Sequence, residues 1–208
     1  MDTIMSTYIM YDSAFAPAPG RVKPDTPWAG YLPSSSAYNA WTQAQFHELN
    51  SILPIWVAAQ GDGLGDAYIA HYYIDGWKLV NAIILDIEEG FWNTPNFDVV
   101  KYIGQFISLS AELGHKTILY MNPENFVPYL EQAPSKLQYY INDNYTPDAI
   151  WIATTNYTIS ANGQLQVPEI PSGLWDTMGQ RAVQHLADTT YNGVNVDESI
   201  CEDGFGNV

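Results

Sequence analysis

The sequence predicts a single α/β barrel of the (β/α)8 or TIM type over residues 1–208, with fewer helices between its last strands. Eight short apolar runs follow one another along the chain, and helical segments separate most of the first six. The fourth run is apolar almost throughout, which is typical of a parallel strand covered on both faces. A length of 208 residues suits one domain. An open, doubly wound sheet is the alternative.

The predicted strands are runs of apolar, β-branched and aromatic residues between turn-forming segments. They lie at residues 8–12, 28–32, 52–58, 82–88, 117–121, 149–153, 182–185 and 193–197. Little or no helix joins the last two, so the C-terminal third of the barrel is predicted to be degenerate. No Gly-rich phosphate loop follows the first strand, which disfavours a nucleotide-binding open sheet.

The predicted helices lie in four of the five connections between the first six strands, at residues 39–49, 66–79, 94–113 and 126–133, while a Pro-rich loop joins strands one and two. For the third helix, Thr94 is a suitable N-cap and Pro95 suits the first helical position, while Gly114 provides the stop. Between strands six and seven, residues 161–163 (Ala-Asn-Gly) predict the turn of a hairpin.

The charge of the chain narrows its expected partners. It carries 7 Lys and Arg against 23 Asp and Glu, a net charge of −16. Nucleic acids and anionic membranes bind basic surfaces, so neither is expected as a partner. No apolar run reaches transmembrane length, and the N-terminus lacks a signal-peptide pattern. We expect a phage-encoded or virion-associated protein, or one delivered to a cell wall by another route.

Cysteine and histidine give no support to a disulfide or metal framework. Cys201 is the single cysteine, which excludes an intrachain disulfide. The four histidines are scattered without zinc-site spacing. We expect neither a metal nor an organic cofactor.

Four acidic residues fall where barrel enzymes carry their chemistry. Asp12 ends strand one, Asp86 and Glu88 end strand four, and Asp197 ends strand eight. Side chains alternate along a strand, so Asp86 and Glu88 share a face and Glu89 is expected to point away. In a closed barrel strands one and eight are neighbours and strand four lies across the mouth, so the four acids are expected to converge. Converging carboxyl groups raise the pKa of at least one of them, which supplies a general acid near neutral pH.

This pattern resembles the family-25 glycoside hydrolases, small barrel lysozymes that cleave peptidoglycan between N-acetylmuramic acid and N-acetylglucosamine. It is also similar to uncharacterised glycoside-hydrolase-like domains of actinobacteria and their phages. The family has an Asp on strand one, Asp-x-Glu on strand four and an Asp on the last strand, which match Asp12, Asp86, Glu88 and Asp197. The resemblance implies sugar contacts on strands three, five, six and seven, at Trp56, Tyr120, Trp151 and Gln184.

The resemblance implies a retaining glycosidase with a glycan partner, peptidoglycan or a related polysaccharide. Glu88 would protonate the leaving oxygen and then act as base on the incoming water. Asp86 would orient the 2-acetamido group of the substrate, which attacks the anomeric carbon. Asp12 and Asp197 would tune Glu88 and hold sugar hydroxyls or water.

Three strands depart from the family pattern. Strand two lacks the expected Lys, strand three reads PIWVAAQ at residues 54–60 without an aromatic-His-aromatic motif, and strand seven has Val-Gln-His at residues 183–185 instead of aromatic-Gln-Tyr. The resemblance implies that these positions line the sugar groove. The alternative is therefore a catalytically weak or inactive glycan-binding barrel, such as a phage tail or virion module. A structural barrel with vestigial acids is a third hypothesis.

Overall fold

Strands and helices alternate along most of the chain. The computed structural model describes residues 6–18, 21, 26–34, 39–49, 52–58, 61–136, 146–170 and 180–206. The strands are β1 (Thr7–Asp12), β2 (Trp28–Tyr31), β3 (Ile52–Val57), β4 (Ala82–Asp86), β5 (Lys116–Met121), β6 (Ala149–Ala153), β7 (Thr158–Ile159), β8 (Leu165–Gln166), β9 (Gln180–Tyr191) and β10 (Val194–Glu202). The helices are α1 (Gln43–Glu48), α2 (Gly63–Trp77), α3 (Glu89–Trp92), α4 (Val99–Glu112) and α5 (Pro123–Lys136).

Eight of these strands close into a barrel in the order β1-β10-β9-β6-β5-β4-β3-β2. β1 to β6 and β9 pair in parallel. β10 runs antiparallel to both β9 and β1. β9 passes directly to β10 through a tight turn at Asn192 and Gly193, so no helix intervenes there. The predicted α/β barrel with a degenerate C-terminal third is confirmed.

Two apolar layers hold the barrel together, because side chains on each strand alternate between its inside and its outside. Within β4, Ile84 packs inside the barrel with Ile55 and Ile118. Ile83 and Leu85 pack outward in the layer shared with the helices. Helices α2 and α4 approach closely: a Cβ on Gly63 would lie 2.2 Å from the carbonyl oxygen of Tyr102, so this contact requires glycine.

The third predicted helix begins later than its sequence signal indicates. Asn96 has a φ of 61°, which interrupts a helix, and Thr94 donates to the carbonyl of Gly90 at 3.2 Å. Asp98 is the N-cap of α4 instead, and its Oδ1 accepts the backbone N–H of Lys101 at 3.1 Å. The prediction that Thr94 caps this helix and Pro95 begins it is therefore wrong by four residues.

The region between β6 and β9 contains the predicted hairpin. β7 and β8 pair antiparallel, and Gly163 in their turn has a φ of 85°. Helix α1 is shorter than predicted, because Thr42 and Gln45 form a capping box that starts it at residue 43. No helix among the described residues is long and apolar enough to cross a bilayer.

Candidate active site

A cavity of about 380 Å³ opens at the carboxyl end of the parallel strands. Asp12 is the last residue of β1 and Asp86 the last residue of β4, so both reach this end of the barrel. The cavity combines acids, aromatic and amide groups and an apolar floor; it is lined by Asp12, Tyr31, Ile55, Ile84, Asp86, Ile87, Glu88, Gly90, Tyr120, Asn122, Trp151, Ala153, Gln184 and Asp197. The four acids singled out from the sequence therefore meet at one cavity.

Asp197 reaches the cavity by a different route from the one predicted. It lies within β10, which continues to Glu202, rather than at the end of a parallel strand. Because β10 runs antiparallel to β1, Asp197 pairs directly with Asp12. Its Oδ1 accepts the backbone N–H of Asp188 at 2.7 Å. The antiparallel direction thus places this carboxyl beside Asp12 at the mouth.

Asp12 and Asp86 are buried carboxyl groups. Their exposed fractions are 3% and 4%, and Oδ2 of Asp12 and Oδ1 of Asp86 have no hydrogen-bond partner among the described residues. Burial raises the pKa of Asp86 to about 8, and the charge of Glu88 adds to this. Burial, followed by the charges of Asp197 and Asp86, raises the pKa of Asp12 well above its usual range. Both groups therefore hold protons at pH values where a free Asp is ionised.

Glu88 is exposed while it lines the same cavity. It lies two residues beyond the end of β4, and its carbonyl accepts the N–H of Phe91 at 3.0 Å, in the turn that leads into α3. Glu89 is the first residue of α3 rather than a strand residue, so strand alternation does not decide its direction. The Glu89 side chain lies outside the described part of the structure.

An aromatic and amide wall stands beside the acids. The rings of Tyr120 and Trp151 lie edge to face with centroids 4.8 Å apart. The indole N–H of Trp151 donates to Oγ of Ser199 at 2.9 Å, which fixes the orientation of this ring. The hydroxyl of Tyr120 donates to Oε1 of Gln184 at 2.5 Å. Three of the four predicted sugar contacts, Tyr120, Trp151 and Gln184, therefore line the cavity.

Trp56 is the predicted sugar contact that the structure does not bring to the cavity. Its side chain is 2% exposed and packs in the outer layer between the sheet and the helices. The indole N–H donates to Oδ2 of Asp66 on α2 at 3.2 Å. Its neighbour Ile55 faces the inside, so alternation directs Trp56 outward. Trp56 is a core residue, and its prediction as a sugar contact is wrong.

Two polar cavity residues were not predicted. Tyr31 is the last residue of β2, and burial, followed by the charges of Asp12 and Asp86, raises the pKa of its phenol. Asn122 directly follows β5, and its Oδ1 accepts the N–H of Asn125 at 2.9 Å. Both stand at a carboxyl end of a strand, which is the signal that identified the acids and extends to any polar residue there.

The charge of the described cavity wall is uniformly acidic. No Lys, Arg or His is found among its described lining residues. Across the described ranges, no three His, Cys, Asp or Glu side chains are grouped closely enough to hold a metal ion. The wall can therefore accept hydrogen bonds, transfer protons through carboxyl groups and pack aromatic rings against a ligand, which suits a polyhydroxylated molecule.

Comparison with known structures finds a protein of similar fold. No protein-family model matches the sequence, and no curated protein matches it. A crystal structure at 1.07 Å of an uncharacterized B. stearothermophilus protein has a TM-score of 0.65 to this chain, at 18% sequence identity, and the match covers 92% of this chain and 94% of that chain. The chain is thus similar in fold to that protein over almost its whole length.

Proposed function

We propose that the chain is a retaining, muramidase-type glycosidase of bacterial cell-wall peptidoglycan. One observation carries the proposal: the exposed carboxyl of Glu88 and the buried carboxyl of Asp86 face one cavity, beside the aromatic wall of Tyr120 and Trp151. Paired carboxyl groups are the usual equipment of glycosidases. Aromatic rings pack against the apolar faces of sugars. The resemblance of the acidic pattern to the family-25 hydrolases selects this substrate among glycans.

Glu88 is the acid and base of the proposed mechanism. An exposed carboxyl at the mouth can donate its proton to the leaving glycosidic oxygen and regain one from an entering water. That water then attacks the anomeric carbon, and Glu88 is ready for another cycle. Glu88 reaches the mouth because the chain leaves β4 at Asp86 and turns into α3 directly afterwards.

Asp86 is the residue that would direct the substrate's own acetamido group. Its Oδ1 is buried and accepts no hydrogen bond from the residues that the structure describes, so an acetamido N–H that donates to it would remove the cost of a buried acceptor without a partner. The acetamido oxygen would then attack the anomeric carbon, and the intermediate would be opened by water with net retention. Such assistance is an established variant of glycoside hydrolysis. Asp12 and Asp197 would hold hydroxyls or water on the opposite wall.

Turbidity clearing of purified cell walls tests the proposal. Wild type is expected to clear the walls and release reducing ends, and Glu88→Gln to lose at least about 100-fold in rate because the proton donor is removed. The control is Glu112→Gln, an exposed Glu in the last turn of α4, at the other end of the barrel. It is expected to retain wild-type clearing. Equal clearing by wild type and Glu88→Gln would overturn the role of Glu88.

A glycan-binding barrel is the second candidate function. The outward position of Trp56 favours it, because the third strand then contributes no aromatic ring to the groove. In that case wild type and Glu88→Gln are expected to co-sediment equally with cell walls, and neither releases reducing ends. A phage tail or virion module would act in this way. Failure of both proteins to sediment with walls would leave the barrel without support as a wall-glycan protein.

A further inference from the structure

Gln184 connects two walls of the cavity. Its Oε1 accepts the hydroxyl of Tyr120 on β5 at 2.5 Å. Its side chain also hydrogen-bonds Asp197 on β10, where the amide N–H is the donor because a carboxylate only accepts. Asp197 is held a second time by the backbone N–H of Asp188 at 2.7 Å. Both ends of the Gln184 amide are therefore engaged within the protein, which differs from the substrate contact that the sequence predicts.

Tyr120 is also a direct neighbour of Asp86. The two residues are register partners on the adjacent parallel strands β5 and β4. Burial raises the pKa of the Tyr120 phenol, and among the surrounding charges that of Asp86 contributes most. Within the described ranges, Oδ1 of Asp86 nevertheless has no hydrogen-bond partner. The hydroxyl of Tyr120 is thus directed to Gln184 rather than to this buried oxygen.

We propose that Gln184 is a positioning residue, which holds the Tyr120 hydroxyl away from Asp86 and so keeps Oδ1 of Asp86 open to the cavity. The benefit of an open oxygen, an acetamido N–H that donates to it, rests on the proposed glycosidase function. The arrangement of the Gln184, Tyr120 and Asp86 side chains does not depend on that function. The aromatic wall assists, because the Tyr120 ring lies against Trp151 on the side of Gln184.

Loss of the Gln184 amide has a definite electrostatic consequence. A half-buried phenol without its acceptor loses a hydrogen bond, so the Tyr120 hydroxyl is expected to turn to Asp86 on the neighbouring strand. A hydrogen bond donated to a carboxylate favours its ionised form and lowers its pKa. The other titratable groups around Asp86 are common to every variant: Asp12 on β1, Tyr31 on β2, Glu88 beyond β4 and Asp197 on β10. Asp197 loses its hydrogen bond to Gln184 in both variants that carry Gln184→Met, so a comparison of those two variants is free of this change.

Carbon-13 NMR titration of the Asp86 carboxyl, in the ligand-free protein labelled at Asp, tests the proposal. The Asp86 carboxyl resonance is identified as the one that is missing from the spectrum of Asp86→Asn. In wild type the midpoint is expected near 8. Gln184→Met, which keeps the side-chain length without the amide, is expected to lower it by about one pH unit or more. Tyr120→Phe alone is expected to leave it near the wild-type value, since that phenol does not bind Asp86 in wild type.

The double variant Gln184→Met/Tyr120→Phe decides the cause. It is expected to return the Asp86 midpoint to the wild-type value, because the competing phenol is gone. An unchanged midpoint in Gln184→Met, or an equal fall in the double variant, would overturn the proposal. If Gln184→Met does not fold by circular dichroism, Gln184→Asn replaces it, since the shorter amide cannot span both walls. The titration uses no substrate, so it can succeed where wall clearing fails, and the two proposals are separable.

Discussion

At the scale of single residues, the main feature is the cost of the buried carboxyl groups. Asp12 and Asp86 are nearly inaccessible, and each has an oxygen for which the described part of the chain provides no hydrogen-bond partner. Such groups lower the stability of the folded protein whenever they are ionised. Residues that do this and still line a cavity are typical of functional sites, where stability is lost in exchange for chemistry.

Asp86→Asn is expected to stabilise the protein increasingly as pH rises. The unfolded carboxyl ionises near its ordinary pKa of 3.8 and the folded one near 8, so the folded state retains the proton between these values. Wild-type stability contributed by this group is therefore full below about pH 4 and is lost as pH rises through about 8. The gain of Asp86→Asn is expected to be roughly 1–3 kcal/mol at pH 9 and small at pH 4.

Urea unfolding at the two pH values measures this difference. The matched control is Asp203→Asn, which removes an exposed carboxyl and is expected to change stability little at either pH. A gain from Asp86→Asn that is equal at pH 4 and pH 9 would contradict the assigned ionisation. Loss of wall clearing together with increased stability would indicate that Asp86 is retained for function.

The sequence predicts the acids of the site well and the aromatic contacts less well. The sequence identifies Asp12 and Asp86 because an acidic residue at the end of an apolar run is easily recognised. Tyr31 ends a strand that already contains Trp28, so an aromatic residue at this position does not stand out in the sequence. Trp56 fails for another reason: a shift of one residue along a strand reverses the face, and Ile55 occupies the inward position.

At the scale of elements, the boundaries depend on competition between local signals. Thr94 and Asp98 are both good N-caps, and Pro95 favours the first. Asp98 is the N-cap because Asn96 lies in a turn with a positive φ and Thr94 hydrogen-bonds to Gly90 instead of capping the helix. These contacts depend on α3, a four-residue helix whose existence the sequence pattern does not reveal.

Replacement of the true cap is expected to destabilise α4. Asp98→Ala removes the acceptor of the Lys101 N–H and should lower the free energy of unfolding by about 1 kcal/mol. Asp98→Asn retains a capping oxygen and is expected to lose much less. Chemical denaturation of the three proteins at pH 7 provides the comparison. A loss as large for Asn as for Ala would show that charge, rather than capping, is the role of Asp98.

The direction of β10 is a second property that the sequence does not reveal. Alternation of side chains is the same whichever way a strand runs, so the run at residues 193–197 indicates a strand but no direction. The short turn at Asn192 and Gly193 requires the antiparallel arrangement, since a parallel connection needs a longer crossover. Asp197 therefore lies at the predicted end of the barrel, although it is inside β10 and not at a strand end.

At the scale of the whole molecule, the charge imbalance is the dominant feature. The net charge of −16 comes from 23 acids and 7 basic residues. Two ion pairs show how the few cations are used: Lys116 lies 3.2 Å from Asp148, and Arg181 is buried 3.6 Å from Glu202. Much of the remaining negative charge repels itself across the surface, which lowers the stability of the folded state.

Added salt is expected to stabilise the protein. Raising NaCl from about 20 mM to about 500 mM shortens the Debye length several-fold and screens this repulsion, so Tm at pH 7.5 should rise by roughly several degrees. Differential scanning fluorimetry measures the change. The control is the same salt series near pH 4.5, where fewer carboxyls are charged and the increase should be smaller. A Tm that falls with salt at pH 7.5 would indicate that attractive ion pairs outweigh repulsion.

The antiparallel pairing of β1 with β10 also brings the start of the first barrel strand and the end of the last one together, at the end of the barrel opposite the cavity. Thr7 pairs with Glu202, and the N–H of Asp203 donates to the carbonyl of Ser6 at 2.9 Å. The pairing of Asp12 with Asp197 at the mouth is five residues away, or about 17 Å along the strand. A peptide that connected the chain at Ser6 with the chain at Asp203 would therefore stay away from the cavity. New termini could then be opened at the Asn192–Gly193 turn, which would make the barrel suited to circular permutation.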